Sequence, residues 1–292
     1  MSVDVLQEKI RKLKNPSVVE LLASPWELPV HLLQEEESAV RAYSRFCREL
    51  MERLKGQVPA VRISFGAFAL LGAEGMTALT ETLKTAASLG YYVLLDAPEM
   101  LSPKAAEMTA DAIFGRESLY PCDGLVISGY LGSDIIKPFL RFCEKQDKDI
   151  FVVARTANKS APELQDLLAG SRLVHMAAAD HANRCGGSSA GKRGYTRVGI
   201  LAGASSSESI RILREKYPKL YMLLDGADYP NANAKNCSYA FDQFGHGAAA
   251  CIGSSVTGAW AQTDSDGRDY LDHAEAAAER MRKNLTRYIT IL

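Results

Sequence analysis

A single carboxylate, Asp96, closes the apolar run Tyr92-Val93-Leu94-Leu95, and the residues behind it, Ala97-Pro98-Glu99-Met100-Leu101, supply no cation. A carboxylate delivered by a buried strand with no cation in the positions that follow points to an active-site scaffold whose main catalytic group is missing. The ends of the other apolar runs offer Arg62, Ser128 with Tyr130, Arg155 with Thr156 and Asn158, Asp225 with Asp228, and Gly253 with Ser254 and Ser255. Asp96 is therefore the candidate catalytic residue. Arg62, Tyr130, Arg155, Thr156, Asn158, Gly253, Ser254 and Ser255 are the candidate ligand-binding residues, since guanidinium, hydroxyl and glycine-turn amide groups hold small anions. Each has a plainer alternative: Asp96 as a turn cap, Ser254 and Ser255 as a tight turn, and Arg62, Glu99 and Arg155 as a salt-bridged cluster filling the site.

Other chemistries are poorly represented. The cysteines, Cys47, Cys122, Cys143, Cys185, Cys237 and Cys251, form no C-x-x-C pair and have no histidine at ligand spacing. His175 and His181 accompany Asp180 on a helical pattern without a further ligand, and His246 sits between glycines, so no metal is expected. Gly186, Gly191 and Lys192 have the G-x-x-x-x-G-K spacing of a phosphate loop, yet Arg193 stands where Ser or Thr would hold Mg²⁺. That loop also precedes a strand, whereas a phosphate cradle follows one, so a lid or a plain surface loop is expected.

The elements that must position these groups repeat in a regular beat. Apolar runs predict strands at Ser17–Leu22, Ala60–Ile63, Tyr92–Asp96, Gly124–Ile127, Ile150–Ala154, Val198–Ala202, Leu220–Leu224 and Ala249–Gly253. Between them, apolar residues three and four apart predict helices over Ala39–Leu54, Gly75–Leu89, Ser102–Phe114, Ile135–Lys145, Ser206–Lys216 and Tyr270–Leu285. Eight β-then-α units in 292 residues predict a single-domain α/β fold over residues 1–292, a (β/α)₈ TIM barrel, with a doubly wound open sheet as the alternative. Ala161–Thr196 interrupts the beat and is expected to be a longer flexible insertion, with a short helical pattern around Ser171–Ala182.

Composition narrows the partners. At 47% hydrophobic and 24% charged, the chain can bury a large core, and 34 basic against 35 acidic side chains provide no bulk field for nucleic acid or an anionic membrane. Met1-Ser2-Val3-Asp4 opens no signal-peptide pattern and no apolar run is long enough to span a bilayer, so the expected location is cytoplasmic.

Several strand ends resemble those of a known family. Val126-Ile127-Ser128-Gly129-Tyr130-Leu131-Gly132-Ser133-Asp134 is similar to the V-N-P-Y-L-G-x-D strand end of the longer bacterial type of orotidine 5′-phosphate decarboxylase. Phe151–Asn158 followed by Glu163-Leu164-Gln165-Asp166-Leu167 resembles its F-V-L-V-K/R-T-S-N and E-L-Q-D-L pieces. Val198–Ala204 resembles V-G-A-V-V-G-A, and Ile252–Ser255 resembles V-N-S-S. The likeness runs in order from about Asn15 to Ala261. It implies a cofactor-free barrel that converts orotidine monophosphate to uridine monophosphate, as a homodimer with sites at the subunit interface. It also implies an array of two lysines and two aspartates, in which one lysine protonates C6 and the last aspartate of D-A/V-K-R-x-D-I serves the neighbouring subunit.

Carried over residue by residue, that array is mostly lost. Asp96 keeps its identity; the proton-donor lysine falls on Pro98, the second aspartate on Leu101, the strand-two lysine on Arg62 and the ribose-binding aspartate on Leu22. The phosphate-binding glutamine falls on Pro230 and the arginine on Val256, while Asp225 and Asp228 put carboxylates near the phosphate position. Arg62 cannot replace a lysine as the acid, because guanidinium stays protonated. The expectation is a decarboxylase-like barrel that does not decarboxylate, acting as a binding or partner subunit for a small anionic metabolite or nucleotide. The alternative is an active orotidine 5′-phosphate decarboxylase with a rearranged site, served by Lys104 or Lys159, and a third reading is another reaction using Asp96, Arg155 and Asp225 or Asp228.

Overall fold

In the computed structural model, which describes residues 2–187 and 189–292, eight parallel strands close into a barrel. They are β1 (Ser17–Leu21), β2 (Ala60–Ser64), β3 (Tyr92–Asp96), β4 (Gly124–Ser128), β5 (Asp149–Arg155), β6 (Thr196–Gly203), β7 (Leu220–Asp225) and β8 (Ala248–Ile252). Each pairs with its sequence neighbours, and β1 closes the ring against β8 with Ser17 beside Ala250. The strands are apolar along nearly their whole length because both faces are covered, by packed side chains within the barrel and by helices outside it. This is the (β/α)₈ barrel expected from the repeating pattern, its sheet closed on itself without a free edge.

The long helices are α1 (Ser2–Leu13), α2 (Ala39–Leu54), α3 (Gly72–Ser88), α4 (Pro103–Phe114), α5 (Ser133–Lys145), α6 (Val174–Gly186), α7 (Ser207–Lys216) and α8 (Tyr270–Thr286). Local chemistry starts several of them: Ser38, Ser102 and Ser206 each accept a backbone N–H three residues on, and Pro103 occupies the first turn of α4. α2 then buries Ala42, Tyr43, Phe46, Cys47, Leu50 and Leu54, a stripe at helical spacing. After β7 the crossover shrinks to the five-residue helix Ala234–Ser238, which explains why no helical period is legible there.

Residues 161–196 keep the beat instead of breaking it. After the short helix Ala161–Leu164, an antiparallel hairpin pairs Leu168–Ala169 with Arg172–Leu173, and α6 follows as the crossover helix to β6. The hairpin claims Arg172 and Leu173, so the helix begins at Val174, later than the pattern around Ser171 suggests. The phosphate-loop look-alike lies at the end of α6 and before β6; its Ser188 is outside the described residues.

α1 closes the amino-terminal end of the barrel. Val3, Leu6, Gln7 and Ile10 are buried, and the Gln7 amide both donates to the Gly245 carbonyl and accepts the Gly247 N–H just before β8. Gly247 is required there: its φ of +88° and the Tyr195 ring, 2.3 Å from where a Cβ would stand, exclude other residues. No helix among the described residues is long and apolar enough to cross a membrane.

Candidate functional site

The carboxyl ends of the strands meet around Arg62. In register, β1 sets Glu20 beside Arg62 on β2, and β2 sets Ser64 beside Asp96 on β3. The Arg62 guanidinium donates to Asp96 Oδ1 at 2.7 Å, to Asp225 Oδ1 at 3.2 Å and to Glu20 Oε1. Asp225 also accepts the Ala157 N–H at 3.2 Å. One buried cation thus serves three carboxylates, with Arg62 only 7% exposed. Burial opposes the Arg62 charge, but Glu20 and Asp96 outweigh it and hold its pKa well above the ordinary value. Burial drives Glu20 upward to about 7 despite Arg62, and it also raises Asp96.

Glu20 is the group the sequence reading missed, having placed the strand-one site position at Leu22, which is partly exposed at the rim. A signal existed: Glu20 is the lone charge in Ser17-Val18-Val19-Glu20-Leu21, as Arg62 is in Ala60-Val61-Arg62-Ile63-Ser64. Lone opposite charges in two buried strands need one another. The proposed cluster of Arg62, Glu99 and Arg155 does not form. Glu99 is exposed, and Arg155 is engaged elsewhere.

Arg155 makes a two-pronged pair with Asp166, both contacts at 2.9 Å, and its third nitrogen donates to the Thr156 carbonyl at 3.1 Å. Asp166 also meets His175 Nδ1 at 3.1 Å, and the Arg155 hydrogen bonds hold the Asp166 pKa below its ordinary value. Thr156 bonds Asn158 and Gln165, and the Tyr130 hydroxyl donates to the Ala154 carbonyl. These candidate residues therefore brace the β4 and β5 loops.

At the end of β8 a carboxylate occupies the amides. Asp228 Oδ2 accepts the Gly253 N–H at 2.9 Å and the Ser255 N–H at 3.0 Å, opening the short helix Ser254–Thr257. Val256 is fully buried, whereas Pro230 is exposed. A cavity of about 530 Å³ opens beside the cluster, lined by Glu20, Leu22, Leu28, Tyr229 and Trp260 among others. Lys104 pairs with Glu107 on the outside of α4 and Lys159 is exposed. Among the described residues, Asp96 has no lysine partner. Nor is any group of three or more His, Cys, Asp or Glu side chains arranged to hold a metal ion among those residues.

A closed barrel whose ionisable side chains converge at the carboxyl ends of its strands has the architecture of (β/α)₈ enzymes and their relatives. Its curated relatives carry the name orotidine 5′-phosphate decarboxylase: the protein of Rhodopirellula baltica is 28% identical over 260 residues, covering 86% of each chain, and that of Clostridium novyi is 23% identical over 98% of each. The resemblance read from the strand-end motifs thus holds over most of the chain. No protein-family model matches. In fold, the chain is similar to the OMP decarboxylase of Leishmania donovani, with a TM-score of 0.72 at 24% identity, covering 97% of this chain and 100% of that one. It is likewise similar to orotidine 5′-monophosphate decarboxylase of Plasmodium berghei, with a TM-score of 0.75 at 14% identity, covering 97% and 98%.

Proposed function

We propose that this chain retains the decarboxylase barrel without the decarboxylase reaction, and serves in the cytoplasm as a binding or partner subunit. The observation that carries this reading is the partner of Asp96: a guanidinium already shared with Glu20 and Asp225. A positioned general acid contributes about 10²–10⁴ in rate, and a guanidinium cannot supply that proton at any working pH. The alternative, decarboxylation at a rearranged site, needs an ammonium at Asp96 that neither Lys104 nor Lys159 brings.

Phosphate recognition points the same way. A nucleotide or other small anionic metabolite at this mouth would have to displace Asp166 from Arg155 or Asp228 from the Gly253 and Ser255 amides. Purified protein mixed with orotidine monophosphate should leave the pyrimidine absorbance unchanged beyond the uncatalysed rate; a higher melting temperature with a nucleoside monophosphate at millimolar concentration would support the binding role, and no rise would count against it. Turnover well above the uncatalysed rate would overturn the proposal.

The same reading includes a two-fold homodimer through the segment Pro98–Met108. Leu101 and Met108 are 77% and 60% exposed, and Leu131 on the adjoining loop is 54% exposed, an apolar rim that a second copy would cover. Light scattering at micromolar concentration is expected to give twice the chain mass of 31.8 kDa, and a monomer there counts against the interface.

A further inference from the structure

The opposite end of the barrel carries a groove that the mouth does not use. α1 turns its buried stripe toward the strands, so Val5, Glu8, Lys9 and Lys12 share its outer face at helical spacing. With Lys192 and Arg193, from the loop before β6, they enclose a hollow of about 680 Å³. Lys9 and Lys12 also border an adjoining recess of about 190 Å³, whose wall includes Lys55, Leu13, Val58 and Tyr91.

The two carboxylates in the hollow are already engaged. Asp4 accepts the backbone N–H groups of Lys192 at 3.0 Å and Arg193 at 3.4 Å, while Glu8 pairs with Arg11 and, at 3.5 Å, with Arg193. Lys9 reaches the Gly90 carbonyl, which leaves its charge uncompensated. Lys12, Lys55 and Lys192 form no ion pair among the described residues. The loop is thus already shaped to meet an anion: successive amides converge on a carboxylate, and a Cβ at Gly191 would stand 2.8 Å from Asp4 Oδ1.

We propose that this groove binds an oligophosphate chain. A compact group with three or more negative charges meets the Lys9, Lys12 and Lys192 ammoniums together, which a single carboxylate cannot do, and lysine binds phosphate as a point charge. The recess with Leu13, Val58 and Tyr91 has an apolar wall suited to a flat ring, so the chain is either free or carried by a nucleotide.

The test is calorimetric titration of the full chain with sodium tripolyphosphate, repeated with a nucleoside triphosphate. One-to-one binding is expected, weakening at least about tenfold from low to high salt. The double substitution Lys12→Glu with Lys192→Glu should weaken it by about as much or more, because each reversal replaces attraction with repulsion. Both lysines are exposed, so the variant should keep the parent's melting temperature. Tighter binding of the triphosphate would assign the ring to the recess, and equal binding would assign recognition to the chain alone; either supports the site. Absence of heat with both ligands at millimolar concentration, or undiminished binding by the charge-reversed protein, overturns it.

Discussion

Arg62→Met is expected to lower stability by about 3–5 kcal/mol, the cost typical of removing one partner from a buried ion cluster. Methionine fills much of the space but leaves Glu20, Asp96 and Asp225 facing one another without a cation. For a chain of this size the melting temperature should fall on the order of 10 °C. Denaturant unfolding at pH 8 and pH 5 checks the cause as well as the size. Carboxylates deprived of Arg62 can take up protons at pH 5 and relieve their repulsion, so the loss should shrink there. A loss below about 1 kcal/mol at pH 8 would mean that the guanidinium does not hold the cluster together.

Glu20→Gln should do the reverse at alkaline pH. Burial raises the folded-state pKa of Glu20 from 4.5 to about 7, so between those values the folded chain holds a proton that the unfolded chain has released. The stability this provides is fully present below the unfolded value and is lost as pH rises through about 7. Glutamine does not titrate, so the variant should gain on the parent by about 2–3 kcal/mol between pH 5 and pH 8. The comparison must be variant against parent. Asp96, also raised by burial, acts in the same direction, whereas Asp166, lowered by Arg155, acts in the opposite one, and both are common to the two proteins. A difference that does not change with pH would show that Glu20 ionises normally in its buried position.

The strands were legible because a barrel strand covered on both faces is an unbroken apolar run: Tyr92–Asp96 is bounded identically in sequence and structure, and the others to within two residues. The crossover helices were legible where they have a long amphipathic face, as in Ala39–Leu54, and illegible at Ala234–Ser238, where five residues give no period. At the candidate site, sequence could nominate strand ends but not pairings. Asp166 lies eleven residues beyond Arg155, and only the turn of the Ala161–Leu164 helix brings it back. Arg62 gathers partners from positions 20, 96 and 225, a convergence that exists only once the barrel closes. The phosphate-loop spacing was already excluded in the sequence because its glycine and lysine precede a strand, and what only the structure adds is that the anion its amides meet is the chain's own Asp4.

Asp228 has a consequence for any attempt to revive phosphate binding here. A dissolved phosphate must compete for the Gly253 and Ser255 amides with a rival that cannot diffuse away, because Asp228 is tethered in the preceding loop and its effective concentration does not fall on dilution. Installing glutamine at Pro230 and arginine at Val256 would add attraction while leaving that tethered rival in place. Engineering the mouth toward phosphate esters therefore has to begin by evicting Asp228.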